Sequence, residues 1–260
     1  KKILVYHNIT PAHYFAGFSD AVAASLTTAR EEMTHTALKS NAVWAASSFD
    51  AEEVRAAGVE NVRVFSLPFS PTPLDIEPDP YIVNRFKGEL LNILCVGRIA
   101  PNKKIEDLIL SFAWYNQTIN PYSRLLLVGS QRSAPRYYMM LRMLANELNL
   151  THVCFEGFAS PAGLSAYYGV ADLFVSTSEH EGYCLPLIEA MYKGVPVIAR
   201  MAGGMPEAMG GAGVMYEGLS HNELGHLMHR LLFDFKLHSE VTASQERRIA
   251  DVLARDIEGE

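Results

Sequence analysis

The residues best suited to chemistry lie in one stretch, Ser178 to Met191, which carries two carboxylates eight positions apart, Glu181 and Glu189. An apolar run ending at Ser176 predicts a strand before this stretch, and Pro186 is typical of the first turn of a helix. A strand, a glycine turn and a helix start bring unpaired backbone N–H groups to the positive end of the helix dipole, which favours phosphate. Because carboxylates repel phosphate, the two glutamates suit sugar hydroxyls on either side of it. We therefore expect this stretch to recognise a nucleotide sugar.

Three motifs follow one another along the chain. Residues 97–104 read Gly-Arg-Ile-Ala-Pro-Asn-Lys-Lys after a predicted strand, Glu181 and Glu189 enclose Gly-Tyr-Cys-Leu-Pro, and residues 203–207 read Gly-Gly-Met-Pro-Glu. In this order they resemble the strand-end Arg and Lys pair, the E-x7-E signature and the G-G-x-P-E turn of the retaining GT-B glycosyltransferases of family 4. The resemblance runs from about residue 1 to about residue 255.

This resemblance implies a fold and an activity. The fold would be α/β, a GT-B arrangement of two Rossmann-like domains facing a cleft, with the first domain only partly present. The activity would be transfer of a sugar from a UDP- or GDP-linked donor to an acceptor hydroxyl, with retention of anomeric configuration. The resemblance implies a reaction without metal or cofactor, in which the leaving phosphate helps to deprotonate the acceptor. The acceptor would be a carbohydrate or a lipid-linked molecule.

The resemblance also assigns roles to residues of this chain. The catalytic residues would be His7, Arg98, Lys103 and Glu181. The donor-binding residues would be Gly97, Gly157, Phe158, Gly182, Tyr183, Cys184, Leu185, Glu189, Gly203 and Gly204. A planar guanidinium on Arg98 and a mobile ammonium on Lys103 suit the charge that develops on a departing diphosphate. Glu181 would contact hydroxyls of the transferred sugar, and Glu189 those of the ribose.

Further roles rest on the same resemblance. The backbone of residues 183–185 would hold the diphosphate, and residues 157–158 would meet the nucleobase. His7 would face the donor sugar across the cleft, and residues 203–204 would belong to a loop that closes over the donor. The family often has Gly where Cys184 stands, and we interpret the small cysteine as a tolerated variant.

Alternating strands and helices predict parallel sheets and divide the chain into regions. The first domain, 1–75, has predicted strands at 2–6, 42–46 and 62–67. A proline-rich linker, 76–90, leads to the second domain, 91–240, with predicted strands at 92–96, 124–128, 153–155, 173–176, 196–199 and 213–216. A last helix is predicted over 241–260. Because the chain starts at Lys1 directly before a strand, we interpret it as missing upstream sequence.

Composition excludes some classes of protein. With 260 residues and 49% hydrophobic residues, the chain can bury a sizeable core, and its net charge of −7 argues against a nucleic-acid-binding surface. Three widely spaced cysteines suggest a reduced compartment rather than a disulfide framework. No apolar run approaches the roughly 20 residues of a membrane span. We expect a cytoplasmic protein, with association at the inner membrane face left open.

Two alternatives remain open. A non-catalytic donor-binding or scaffolding subunit that needs a partner chain would also fit, and the short first domain favours it. An unrelated Rossmann enzyme using a dinucleotide or a methyl donor is the other, but no G-x-G-x-x-G follows a first strand. Four histidines late in the chain have no matching carboxylate pattern and are expected to be solvated rather than metal ligands: His221, His226, His229 and His238.

Overall fold

The computed structural model describes residues 1–255, which fold around two parallel β-sheets. The strands are β1 (Ile3–Tyr6), β2 (Ala42–Ala45), β3 (Val62–Val64), β4 (Leu91–Val96), β5 (Ser123–Val128), β6 (Val153–Gly157), β7 (Leu173–Ser176), β8 (Val197–Arg200) and β9 (Val214–Tyr216). The first sheet has the order β1-β2-β3, and the second has the order β6-β5-β4-β7-β8-β9. Every pairing is parallel, which confirms the prediction of an α/β fold.

Helices connect the strands. They are α1 (Asp20–Leu38), α2 (Ser48–Ala56), α3 (Pro80–Phe86), α4 (Ile105–Thr118), α5 (Pro135–Glu147), α6 (Pro161–Val170), α7 (Leu185–Tyr192), α8 (Met205–Met209), α9 (His221–Phe233) and α10 (Phe235–Leu253). Short 3₁₀ turns lie at Ala12–Phe15 and Pro101–Lys103. Ser47 caps α2 by accepting a hydrogen bond from the Asp50 N–H, and Ser220 and Glu223 form a capping box at α9.

The second sheet is buried on both faces. Alternate residues of the central strands point to opposite sides: Ile93, Leu125 and Val175 belong to one hydrophobic cluster, and Leu94, Leu126 and Phe174 belong to the other. Helices α4, α5 and α9 cover the first face, whereas α6, α7 and α10 cover the second. Covering both faces explains why these strands read as continuous apolar runs in the sequence.

The proline-rich stretch predicted as a linker contains a helix, α3. Asp79 caps it by accepting a hydrogen bond from the Tyr81 N–H, and Pro80 occupies the first helical position, where its missing N–H is not needed. Phe86 at its end is buried against Tyr167 of α6. The stretch 76–90 therefore contains a helix that the sequence analysis did not predict. The domain boundaries themselves stay predictions.

The last two helices also differ from the prediction. They meet at Asp234, which caps α10 through the Leu237 N–H, so that α10 begins at Phe235 instead of residue 241. The predicted helix over 241–260 ends at Leu253, and its last five positions, 256–260, lie outside the described residues.

The order of the strands in the second sheet indicates where a ligand would bind. It reverses between β4 and β7, because the chain runs outward from β4 to β5 and β6 and then returns to add β7, β8 and β9 on the other side. In parallel sheets, ligands bind at such a switch point, beyond the carboxyl ends of the strands. The loops after β4 and β7 contain the first two motifs.

Candidate functional site

The loops after β4 and β7 bring two predicted catalytic residues into contact. Lys103 forms an ion pair with Glu181, and the two side chains are only 15% and 12% exposed. A Cβ atom added to Gly97 would stand 3.5 Å from the Lys103 ammonium. Burial alone lowers the pKa of Lys103, but the Glu181 carboxylate outweighs it and holds this pKa above its ordinary value. Lys103 is therefore charged at the site.

Two residues that the sequence did not single out hold these loops together. The Asn102 carbonyl accepts a hydrogen bond from the Glu179 N–H at 2.9 Å, and its side-chain amide donates to the His180 carbonyl at 3.0 Å. The Thr177 hydroxyl donates to the carbonyls of Lys103 and Lys104 at 3.0 and 2.8 Å. Their only sequence signal is their position inside the motif loops.

The loop from Gly182 to Leu185, which we call the donor loop, leads directly into α7. Cys184 has a φ of +72°, and the backbone N–H groups of Cys184 and Leu185 have no acceptor within residues 1–255. These unpaired N–H groups lie at the positive end of the α7 dipole. This is the position that the sequence predicts as a phosphate-binding site. The family that the sequence resembles often has Gly at this position. The left-handed backbone explains that preference as well as side-chain size does, because glycine adopts a positive φ without steric cost.

Glu189 lies one turn further along α7 and is half-buried. Its Oε2 accepts a hydrogen bond of 2.7 Å from the Tyr168 hydroxyl, while Oε1 has no partner in the described chain. Burial raises the pKa of Glu189, and the Tyr168 hydrogen bond lowers it in part. One carboxylate oxygen is fixed by the protein, and the other remains available to a ligand.

Arg98 and Phe158 are both exposed at this edge of the sheet. Arg98 makes no hydrogen bond or ion pair with residues 1–255, and Phe158 is 83% exposed. Between them the strand ends pack tightly, since a Cβ on Gly129 would stand 1.7 Å from the Gly97 carbonyl oxygen. The Gly157 carbonyl accepts a hydrogen bond from the Gly129 N–H at 2.7 Å.

The glycine pair after β8 packs against the donor loop. The Gly204 N–H donates to the Glu181 carbonyl at 2.8 Å. A Cβ on Gly203 would stand 2.3 Å from the Glu181 carbonyl oxygen, and one on Gly204 would stand 1.9 Å from that of Gly182. Close backbone contact thus requires both glycines. Their contact with a donor stays a prediction.

The first domain reaches the donor loop through residues next to His7. His7 is exposed at the end of β1 and has no hydrogen-bond partner among residues 1–255, whereas Asn8 donates to the Asp50 carboxylate at 2.7 Å. A Cβ on Gly182 would stand 2.7 Å from both Asn8 Cβ and Asp50 Oδ2. Asp50 is fully buried, and burial raises its pKa to about 6, with the Asn8 hydrogen bond acting in the opposite direction.

His180 also packs across the two domains. It is 7% exposed, and its ring lies 5.3 Å from Phe49 of α2 and 6.0 Å from Tyr14 of the first 3₁₀ turn. Burial lowers the pKa of His180 to about 4, to which the nearby Arg30 guanidinium contributes. The imidazole is therefore neutral near pH 7.

Of the late histidines, His226 is exposed as expected, whereas His229 is only partly exposed. The His226 ring lies 4.5 Å from Trp114, and the His229 ring lies 4.7 Å from Phe233. In the described part of the chain no three His, Cys, Asp or Glu side chains are grouped closely enough to hold a metal ion. None of the helices within residues 1–255 has the length and apolarity needed to cross a membrane.

A family model described as glycosyl transferases group 1 matches residues 82–246. The chain belongs to this family. The match covers the second sheet and the loops that carry Arg98, Lys103 and Glu181. It ends within α10.

Relatives of known activity resemble this member of the group 1 family over part of their length. The serotype-specific mannosyltransferase WbdA of Escherichia coli is 27% identical over 229 residues, which is 86% of this chain and 26% of WbdA. A GDP-mannose-dependent mannosyltransferase of Mycobacterium tuberculosis, which acts on phosphatidylinositol monomannoside, is 27% identical over 65% of this chain and 47% of its own. The chain thus spans about half or less of the length of these relatives.

Solved structures share the fold of this group 1 chain. HepE from Anabaena, crystallised with UDP and glucose, superimposes with a TM-score of 0.77 at 22% identity over 97% of this chain and 67% of HepE. WaaG, a glycosyltransferase involved in lipopolysaccharide biosynthesis, gives a TM-score of 0.71 at 17% identity over 98% and 71%. The fold is therefore that of the GT-B glycosyltransferases.

Proposed function

We propose that this chain contains the donor-binding and catalytic half of a retaining glycosyltransferase of the family-4 type. The observation that carries the proposal is the convergence of three features on one sheet edge. The charged pair of Lys103 and Glu181, the free guanidinium of Arg98 and the unpaired N–H groups at the start of α7 meet there. Together they match a diphosphate joined to a sugar.

The positive groups would bind and activate the diphosphate. The N–H groups of Cys184 and Leu185 donate to phosphate oxygens at the helix start. Arg98 and Lys103 supply positive charge where negative charge develops as the diphosphate departs, which stabilises the transition state more than the ground state. We propose that these groups make a catalytic metal ion unnecessary.

The remaining groups would recognise the two ends of the donor. Glu181 accepts hydrogen bonds from hydroxyls of the transferred sugar, and the free Oε1 of Glu189 accepts them from the ribose. The exposed ring of Phe158 offers an apolar surface to the nucleobase. His7, on the opposite side of the cleft, faces the sugar.

The transfer step needs no carboxylate base. The bond from the anomeric carbon to the phosphate oxygen breaks, and the acceptor oxygen forms its bond to the same face of that carbon. The acceptor proton passes to an oxygen of the departing diphosphate. Anomeric configuration is thereby retained, and the diphosphate leaves carrying that proton.

The relatives suggest which donors to test. The relative from Mycobacterium tuberculosis is described as GDP-mannose-dependent, and HepE was crystallised with UDP-glucose. We propose GDP-mannose as the donor to test first and UDP-glucose as the second. The acceptor would be a carbohydrate or lipid-linked hydroxyl, since one relative acts on a mannosylated phosphatidylinositol.

The test is a transfer assay with the full-length protein, each donor and a panel of glycan and glycolipid acceptors, with and without a chelator. We expect product whose anomeric configuration, read from NMR coupling constants, matches that of the donor. Glu181→Gln and Arg98→Ala should lower the rate at least about 100-fold, whereas the exposed Glu217→Ala should not. An inverted product would refute the proposed mechanism. Donor binding without any product would favour the non-catalytic subunit.

A further inference from the structure

Glu207 connects the two domains. Its carboxylate Oε2 accepts a hydrogen bond of 2.7 Å from the backbone N–H of Ser48, the first residue of α2. Its Oε1 accepts one of 3.1 Å from the Ser66 hydroxyl, which follows β3. A carboxylate at the start of a helix satisfies a free N–H group and complements the helix dipole. Glu207 of the second domain therefore binds the first domain at the position of a helix cap.

The segment 203–208, which contains Glu207, also packs against the donor loop and the residue before it. Gly204 donates to the Glu181 carbonyl at 2.8 Å. A Cβ on Gly204 would stand 2.8 Å from the Ser47 hydroxyl, the residue before α2. The segment therefore packs closely against the start of α2 on one side and against the backbone of Glu181 on the other.

The other end of the segment is fixed to the second domain. Arg248 of α10 donates to the carbonyls of Glu207 and Ala208 at 2.9 and 3.0 Å. Because α8 is anchored in this way, the Glu207 carboxylate cannot follow α2 if the first domain moves. A displacement of α2 must instead break the Glu207 hydrogen bonds or shift the backbone of Glu181.

We propose that Glu207 is a positioning residue that sets Glu181 for sugar transfer only while α2 is docked on it. This inference rests on the proposed function, because it assigns Glu181 to the sugar. Glu207 itself touches neither the donor nor the acceptor. Its loss should slow transfer and leave the binding of a free nucleoside diphosphate unchanged, since Arg98 and Glu189 lie on the second domain alone.

The Ser48 N–H can be removed without removing the helix. Ser48 is the first helical position, where proline is tolerated, and Ser47 before it has the extended backbone that a residue preceding proline prefers. Ser48→Pro therefore deletes the donor to Glu207. Asp20→Pro is the matched control, because Asp20 is the first residue of α1 after an extended Ser19.

We would measure kcat, KM and nucleoside diphosphate affinity for Glu207→Ala, Glu207→Gln and Ser48→Pro in the full-length protein. We expect kcat to fall about tenfold or more in Glu207→Ala and Ser48→Pro, with the diphosphate Kd unchanged within about threefold. Glu207→Gln, which keeps a carbonyl acceptor, should recover part of the rate. The double variant of Glu207→Ala and Ser48→Pro should be no slower than the slower of its two single variants. Both changes break the same contact, between the Glu207 carboxylate and the Ser48 N–H.

A second readout does not depend on activity. Hydrogen exchange of the Gly204 N–H, which is hydrogen-bonded to the Glu181 carbonyl, should accelerate in Glu207→Ala and Ser48→Pro but not in Asp20→Pro or Glu217→Ala. Unchanged exchange and a kcat within twofold of wild type would overturn the inference. Parallel losses of kcat and diphosphate affinity would do the same. If the wild-type protein neither binds a nucleotide nor transfers sugar, the proposed function fails, and the exchange data alone decide whether Glu207 couples the domains.

Discussion

Lys103 and Glu181 lie 78 positions apart in the chain and form a largely buried ion pair at the carboxyl edge of the second sheet. The short 3₁₀ turn after β4 presents the lysine, and the loop after β7 presents the glutamate. In the ligand-free chain each group neutralises the other. A nucleotide sugar would take over both, with phosphate facing Lys103 and sugar hydroxyls facing Glu181.

Breaking this pair from one side should destabilise the protein. We expect Lys103→Met or Glu181→Leu alone to lower the free energy of unfolding by about 2–4 kcal/mol, because a charge is left buried without its partner. The double variant should recover at least half of that loss. Urea unfolding of the two single variants and the double variant measures this coupling. Purely additive losses would show that the two charges do not depend on each other.

Position 184 should prefer glycine to alanine. Because Cys184 has a φ of +72°, Cys184→Gly should be more stable than Cys184→Ala by about 1 kcal/mol, both variants having lost the thiol. The control is Ala24→Gly on the exposed face of α1, which should instead cost about 1 kcal/mol. Thermal or urea unfolding checks both changes. A more stable alanine at 184 would mean that the loop is not left-handed in solution.

Asp50→Asn should stabilise the protein more at pH 8 than at pH 5. Burial raises the folded-state pKa of Asp50 to about 6, so the folded state loses stability as pH rises from about 4 through 6. An asparagine does not ionise and can still accept the Asn8 hydrogen bond. We expect the gain to be about 1 kcal/mol larger at pH 8 than at pH 5. Equal gains at both pH values would contradict a raised pKa for Asp50.

His180→Leu should make the protein less sensitive to acid. Because the folded-state pKa of His180 is lowered to about 4, its burial costs stability as pH falls below about 6.5. The wild-type protein should lose about 2 kcal/mol from this group between pH 8 and pH 5, and the variant should not. Stability curves at the two pH values decide the question.

The sequence predicted the second sheet well because its strands are buried on both faces. Uninterrupted apolar runs such as 93–96 and 173–175 are typical of buried parallel strands, and the predicted bounds of all six strands of this sheet agree with the structure within one or two residues. Helix α3 is not predictable from the proline content, because closely spaced prolines are typical of linkers, whereas a single proline is also common at the first position of a helix, as Pro80 is here. The structural effect of a proline therefore depends on where it lies relative to the start of a helix.

Sequence motifs indicate which residues belong to the candidate site. The contacts that these residues make with distant parts of the chain cannot be predicted from the motifs. Arg98, Lys103, Glu181 and Glu189 lie in motifs. Asn102 and Glu207 also lie in motifs, but their roles depend on contacts between loops that are distant in the sequence. Nothing in the sequence near Asp50 indicated a fully buried carboxylate, because its burial depends on Gly182, 132 positions later. Such partners become visible only in three dimensions.

The most direct test of the account is calorimetric titration of the full-length protein with GDP and UDP, without added metal. We predict micromolar binding of one of them, weakened by about 1–3 kcal/mol in Arg98→Ala and in Glu189→Ala, since each variant loses a charged hydrogen bond to the ligand. Glu217→Ala, which removes an exposed carboxylate after β9, should bind as the wild-type protein does. If neither nucleotide binds, or if both site variants bind as tightly as the wild-type protein, the donor site assigned to this sheet edge is wrong.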